Sequence, residues 1–182
     1  MLVGTKPASM LLGIMLTSYL VSMWISNTAT VMMLLSAVFA VIYQVESYIT
    51  DPAAKRKFAS ALLIGLAYSA SIGGMATLVG TPTNMIFYRF YTNAFPASTD
   101  VSFASWAAMG IPLSISLLLI TYFLLARFVM PRKLNIQIDR SFFRESFQLL
   151  GPMRYEEKMV SLVFILTALL WFTRSPIDFG VF

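Results

Sequence analysis

The sequence predicts an all-α polytopic membrane protein, and three observations carry that reading. Of its 182 residues, 58% are hydrophobic and 12% charged, whereas an ordinary soluble domain carries about 25% charged residues. The charges are gathered into a few short stretches, which leaves apolar segments of roughly the ~20 residues that a membrane helix needs. Two of these apolar segments are interrupted by uncharged polar clusters, Ser26-Asn27-Thr28-Ala29-Thr30 and Gly80-Thr81-Pro82-Thr83-Asn84. A soluble core has no need to keep charge and apolar length so far apart.

Composition also removes whole classes of chemistry. There is no cysteine and no histidine, so disulfides, thiolate or imidazole metal sites and every nucleophile–histidine arrangement are excluded, and no enzyme activity is expected. The net charge of +5 comes from lysines and arginines that flank apolar spans rather than forming a patch interleaved with aromatics. Lipid headgroups account for them, and nucleic acid is not an expected partner. The start, MLVGTKPASMLLGIML, lacks a small-x-small cleavage pattern and its apolar run continues past signal-peptide length. The end, RSPIDFGVF, follows an apolar segment without a polar tail, and the chain is expected to be a piece of a larger protein.

The elements follow in order. Residues 1–50 hold two apolar stretches, Ala8 to Ile25 and Ala29 to Ser47, separated only by the first polar cluster. Residues 51–57 form a loop, with a turn at Asp51-Pro52 and positive charge at Lys55, Arg56 and Lys57. Residues 58–91 make a third stretch too long for one plain membrane helix; it contains GGMATLVGTPTN, so a tilt or a break must absorb the excess. Loop 92–105 has no lysine or arginine, 106–130 is a fourth apolar stretch, 131–158 is rich in arginine and lysine, and 159–182 begins a fifth membrane helix. Because lysine and arginine accumulate on the cytoplasmic side, loops 51–57 and 131–158 lie inside and 92–105 outside, and Lys6 places the N-terminus inside. Within 131–158, Phe143, Phe147 and Leu150 recur at helical spacing, as in an amphipathic helix lying on the cytoplasmic surface.

Residues 8 to 50 must then leave the cytoplasm and return to it. Either both stretches span and SNTAT is an external loop, or they form a re-entrant hairpin whose tip stops within the membrane. The connection is short and uncharged, and apolar sequence resumes at once with Ala29, Val31 and Met32. Arg89, Glu46 and the Met32-Met33 pair are accounted for by snorkelling, solvation and packing.

Non-helical backbone within a bilayer is tolerated where protein or a water-filled cavity satisfies its N–H and C=O groups, so broken helices mark candidate sites. At the first break, Ser26, Asn27 and Thr28 are good N-cap residues for a helix beginning around Ala29, and the last carbonyls of the preceding helix, near Ser22 and Met23, face the same point. At the second, Gly73-Gly74 can terminate a helix, Gly80 permits close approach, Thr81 suits a cap, and Pro82 suits the first helical turn. Each break thus offers a helix start that favours anions beside a helix end that favours cations. The alternatives are a plain loop for the first break and a small-residue packing face for the second. No lysine follows the glycines and no strand precedes them, so the second is not a phosphate loop.

SNTAT, then SASIGGMATLVGTPTN, then an EEK segment leading to LLWFTRSP, together resemble the divalent-anion/sodium symporter family, which carries di- and tricarboxylates or sulfate. The resemblance covers nearly the whole chain and about half of a family member. It implies one half of an inverted-repeat, elevator-type transporter: a re-entrant helical hairpin with an SNT tip plus a broken transmembrane helix, in a plasma-membrane homodimer joined through scaffold helices. Carried over by motif position, Asn27 and Thr28 contact a substrate carboxylate, with Thr81, Pro82 and Asn84 lining the site. Ser22, Ser26 and Asn27, with a carbonyl from Gly74 or Gly80, hold a sodium ion. This chain reads GTPTN where the family commonly reads GTPPN, so Thr83 departs from the pattern. Two other readings stay open: an arsenite or sodium/proton antiporter of similar build, for which no ionisable residue at membrane depth is visible here, and a structural membrane subunit.

Overall fold

The computed structural model describes residues 7–96, 101–131 and 151–173, and every regular element among them is helical. The helices are α1 (Pro7–Ser22), α2 (Asn27–Glu46), α3 (Pro52–Ala76), α4 (Pro82–Ala94), α5 (Phe103–Leu124) and α6 (Tyr155–Phe172). A π-helical turn, Leu125–Val129, extends α5. Three spans are long and apolar enough to cross a bilayer: α2, α3, and α5 with its π-helical turn. Helix α1 is shorter, at 16 residues, or about 24 Å at 1.5 Å per residue. The amphipathic helix expected at 139–150 lies outside the described residues.

Helix starts follow local chemistry. Asp51 Oδ1 accepts the Ala53 N–H at 3.0 Å, and Pro52 occupies the first turn of α3. The helix therefore begins at Pro52 rather than Phe58 and takes in Lys55, Arg56 and Lys57. The same Asp-Pro pair that signals a turn also signals a capped helix start. Ser102 caps α5 by accepting the Ser105 N–H at 3.0 Å, and Glu157 reaches back from α6 to the Arg154 N–H at 2.9 Å. Helix α2 begins at Asn27, with Ser26 as N-cap, two residues before the expected start.

Helix α3 is the centre of the bundle, with α1, α2 and α5 packed around it. Leu11 and Met15 of α1, Val38, Ile42 and Val45 of α2, and Leu118 of α5 join Phe58, Leu62 and Leu66 of α3 in one buried core. Buried hydroxyls tie the helices together. Ser18 Oγ donates to the Leu66 carbonyl at 3.0 Å, and the Tyr19 and Ser114 hydroxyls pair at 2.8 Å between α1 and α5. Outward faces stay apolar, with Met32, Phe90 and Phe128 largely exposed, as a bilayer or further protein would require.

Helix α3 runs through Gly73-Gly74 to Ala76 instead of ending at the glycines. At Gly73 a Cβ would collide with the Tyr19 carbonyl oxygen and stand 2.9 Å from Tyr19 Cα, so α1 and α3 touch backbone to backbone. At Gly65 the nearest atoms are side-chain ends, Leu11 Cδ1 at 2.6 Å and Met15 Cγ at 3.2 Å. The two glycines should therefore respond differently to alanine. Gly73→Ala is expected to lower stability by about 2 kcal/mol or more, as overpacking against rigid backbone does. Gly65→Ala should stay within ~1 kcal/mol of the parent, because Leu11 and Met15 can shift and alanine favours the helix. Thermal unfolding of the two variants in detergent checks the contrast.

Candidate ion and anion site at the paired helix breaks

The two helix breaks are held against each other by side chains that satisfy backbone. Helix α1 closes through Met23 N–H to the Tyr19 carbonyl at 3.2 Å and through Trp24 and Ile25 N–H to the Val21 carbonyl, each at 3.1 Å. Just past the helix end, the Met23 carbonyl accepts the hydroxyl of Thr77 in the other break. Thr77 Oγ1 in turn accepts the Gly80 N–H at 3.1 Å. One buried hydroxyl thus links the end of α1 to the turn between α3 and α4.

The end of α3 is satisfied in the same way. Asn84 Nδ2 donates to the Gly74 carbonyl at 2.9 Å and to the Thr77 carbonyl at 2.8 Å, so both hydrogens of its amide are committed. Trp106 Nε1 donates to the Met75 carbonyl at 3.2 Å. Of the carbonyls that a helix end normally leaves open, those of Gly74 and Met75 are met by an amide from α4 and an indole from α5. Neither Thr77 nor Trp106 was among the expected site residues; a threonine midway through a glycine-rich break was the available signal.

Asn27 is where the hairpin meets this clamp. Its Oδ1 accepts the Ser22 hydroxyl at 2.8 Å, joining the last residue of α1 to the first of α2. The same amide lies over Gly74: a Cβ there would collide with Asn27 Oδ1 and stand 3.1 Å from both Cγ and Nδ2. Gly80 is as tightly placed, since its Cβ would stand 2.6 Å from the Gly74 carbonyl oxygen. Ser22, Asn27, Gly74, Gly80 and Asn84 are therefore together at one point. The remaining expected residues sit at its rim. Ser26 and Thr28 are exposed, with the Ser26 hydroxyl accepting the Ala29 N–H at 3.4 Å. Thr81 holds the N-cap position of α4 without a side-chain cap bond, and Pro82 opens the helix.

The donors gathered here are neutral oxygens from hydroxyl, amide and carbonyl, the set that suits a hard cation. Among the described residues no group of three or more His, Cys, Asp or Glu comes together. The ends of α1 and α3 add negative dipole character and the starts of α2 and α4 positive character. Helix ends of this kind favour cations and helix starts favour anions.

Comparison with known proteins places the same segment among transporters. The family profile described as citrate transporter (CitMHS) matches residues 1–180. The sodium-dependent dicarboxylate transporter SdcS of Staphylococcus saprophyticus is 34% identical over 176 residues, covering 94% of this chain and 34% of that protein. The protein of the same name from Staphylococcus aureus strain USA300 is 34% identical over 178 residues, covering 96% and 34%. The chain thus spans about a third of the length of these curated relatives, rather than the half expected.

Removing the Asn84 amide tests the clamp. Asn84→Ala leaves the Gly74 and Thr77 carbonyls without their side-chain donor, and stability should fall by roughly 2–4 kcal/mol, given about 1–3 kcal/mol for each buried polar group left unpaired. Asn84→Asp, which replaces the donating group with an acceptor, should be at least as destabilising. Thermal unfolding in detergent reads both.

Proposed function

This multi-pass membrane chain belongs to the CitMHS citrate transporter family, and from that premise we propose that it forms part of a sodium-coupled symporter for a divalent anion: a C4-dicarboxylate, citrate or sulfate. The single observation that carries the reading is the seating of Asn27 on Gly74, with Ser22 bonded to its Oδ1. This contact brings the end of α1, the start of α2 and the end of α3 to one place, and Asn84 adds the first turn of α4.

In the proposed site, Ser22, Ser26, Asn27 and the Gly74 carbonyl hold one sodium ion. Gly74 is preferred to Gly80 because Asn27 lies directly on it, and its oxygen, bonded to Asn84, keeps a second lone pair. Asn27 and Thr28 face a substrate carboxylate from the start of α2, while Thr81 and Pro82 line the site from the start of α4. Asn84, whose amide hydrogens are both committed to carbonyls, shapes the anion side by holding the α3 end in place. Sodium binding first offsets the desolvation of a dianion, because an unpaired charge at bilayer depth is costly. Coupling follows if the anion site forms only once the cation is in place.

We further propose that α1 and α2 form a re-entrant hairpin with residues 23–26 at its tip, moving as one body with the broken helix α3–α4 in an elevator-type cycle. A second, similar repeat elsewhere in the protein completes the anion site, and scaffold helices join two copies in a homodimer.

Two measurements test this on the transporter containing this chain. Asn27→Ala should cut sodium-dependent uptake of succinate, citrate or sulfate at least tenfold, since a lost charge-assisted contact is worth about 1.5–3 kcal/mol. Uptake at the parental rate from correctly inserted protein would overturn the site. Separately, a single cysteine at Thr28 in a cysteine-free background should react with membrane-impermeant thiol reagents in a manner suppressed by sodium and substrate. Free labelling from outside under all conditions would make SNTAT an external loop.

A further inference from the structure

Among the described residues, Thr30 Oγ1 is the one buried side-chain polar atom without a hydrogen-bond partner. The residue is fully buried, at 0% exposure, in the first turn of α2. Its backbone is settled, because the Thr30 N–H donates to the Ser26 carbonyl at 3.0 Å. Only the hydroxyl is left open.

Elsewhere in this chain, several helical hydroxyls bond back to the carbonyl four residues earlier. Thr17 does so to Gly13 at 2.9 Å, Ser71 to Ala67 at 3.2 Å, Thr92 to Tyr88 at 3.1 Å and Thr167 to Val163 at 2.8 Å. That is the ordinary resort of a threonine in a helix. Thr30 does not take it, although the Ser26 carbonyl stands in the equivalent position. An unpaired buried hydroxyl in a native fold calls for a ligand, an ion or a water.

Position narrows the choice. Thr30 continues the core-facing stripe of α2 that holds Val38, Ile42 and Val45, so it faces the bundle rather than lipid. Helical side chains lean towards the N-terminus, which carries this hydroxyl towards the turn of Ser26 and Asn27. The other oxygens there are partly committed: Ser22 gives its proton to Asn27 and the Gly74 carbonyl accepts from Asn84. Thr30 keeps both lone pairs free. Full burial of the residue suits a monatomic ion better than a dianion, which is better placed at the exposed Thr28.

We propose that Thr30 supplies a further oxygen to the cation bound at the hairpin tip and so sets sodium affinity. The proposal rests on the reading of Ser22, Asn27 and Gly74 as a sodium site, and its test separates the two. In the transporter containing this chain, purified in detergent, sodium is titrated and thermal stabilisation recorded for the parent, Thr30→Val, Thr30→Ser and Asn27→Ala. Thr30→Val keeps the shape and removes the oxygen. It should raise the sodium concentration for half-maximal stabilisation about tenfold, as loss of one ion contact implies. Its melting temperature without sodium should equal or exceed the parent's, because a methyl replaces an unpaired hydroxyl. Thr30→Ser keeps the oxygen and should stay within about twofold of the parent's sodium response, even though its lost methyl lowers stability.

A parental sodium titration for Thr30→Val would overturn the proposal and leave the hydroxyl to packing or a bridging water. So would a Thr30→Ser variant as impaired towards sodium as Thr30→Val, since the methyl would then be what matters. If Asn27→Ala retains parental sodium stabilisation, the underlying sodium site fails. If Asn27→Ala abolishes it while Thr30→Val does not change it, Thr30 alone is removed. Should Thr30→Val not fold, Thr30→Ala measured beside Thr30→Ser decides the same question.

Discussion

The bond from the Thr77 hydroxyl to the Met23 carbonyl is the constraint on which the rest of the arrangement depends. Each helix that stops within an apolar bundle leaves carbonyls that water cannot reach, and every one must find a donor. Here the donor for α1 comes from the break after α3, and the donors for α3 come from α4 and α5. The first break thus depends on the second for its donor, while the second is met from α4 and α5. The bond from Thr77 to Met23 holds the breaks together, and with them Asn27 against Gly74.

The glycines have their meaning within that scheme. Gly73 lets the backbone of α1 reach α3, Gly74 seats the Asn27 amide, and Gly80 brings its own backbone against the Gly74 carbonyl. A side chain at any of these three positions would move a break out of register with its partner. Glycine here serves close approach, with none of the three in a left-handed conformation. That differs from the helix-stopping role read from the Gly73-Gly74 pair, and the reason is physical: within membrane helices small residues more often admit a neighbour than end a turn.

Much of the architecture was legible in the sequence because membrane length, charge segregation and polar interruptions are local signals. The apolar stretches correspond to helices and the two uncharged clusters to breaks, whereas the grouping of Ser22 and Asn27 with Gly74 comes from the family resemblance, which leaves Gly80 as an equal candidate. Boundaries were less legible where one motif has two uses, as with Asp51-Pro52, which both turns the chain and starts α3 at its second residue. The bond between Thr77 and Met23 joins residues 54 positions apart, and no spacing rule announces such a pair. The double donation by Asn84 was hidden for a related reason. An asparagine after a Gly-Thr-Pro turn reads as a ligand-binding side chain, and only the placement of the Gly74 and Thr77 carbonyls shows that its hydrogens are already committed.

The hairpin tip also makes a second kind of contact, which differs from the first in how firmly it fixes geometry. Trp24 stacks on Phe103 at 6.2 Å and on Trp171 at 6.1 Å, and meets Phe164 edge-on at 5.5 Å. These rings join the tip to the start of α5 and to α6, a helix with no buried residue of its own. Ring contacts hold over a broad range of separations, about 4.5–7 Å between centroids, and in both stacked and edge-on forms, whereas a buried hydroxyl–carbonyl bond has a narrower range of length and angle. In the elevator-type cycle proposed for this chain, a body that moves must keep its polar bonds and slip along its apolar contacts. The bonds among Ser22, Asn27, Met23, Thr77 and Asn84 are of the kind that hold such a body together. The aromatic contacts of Trp24 are of the kind that let it move past α6.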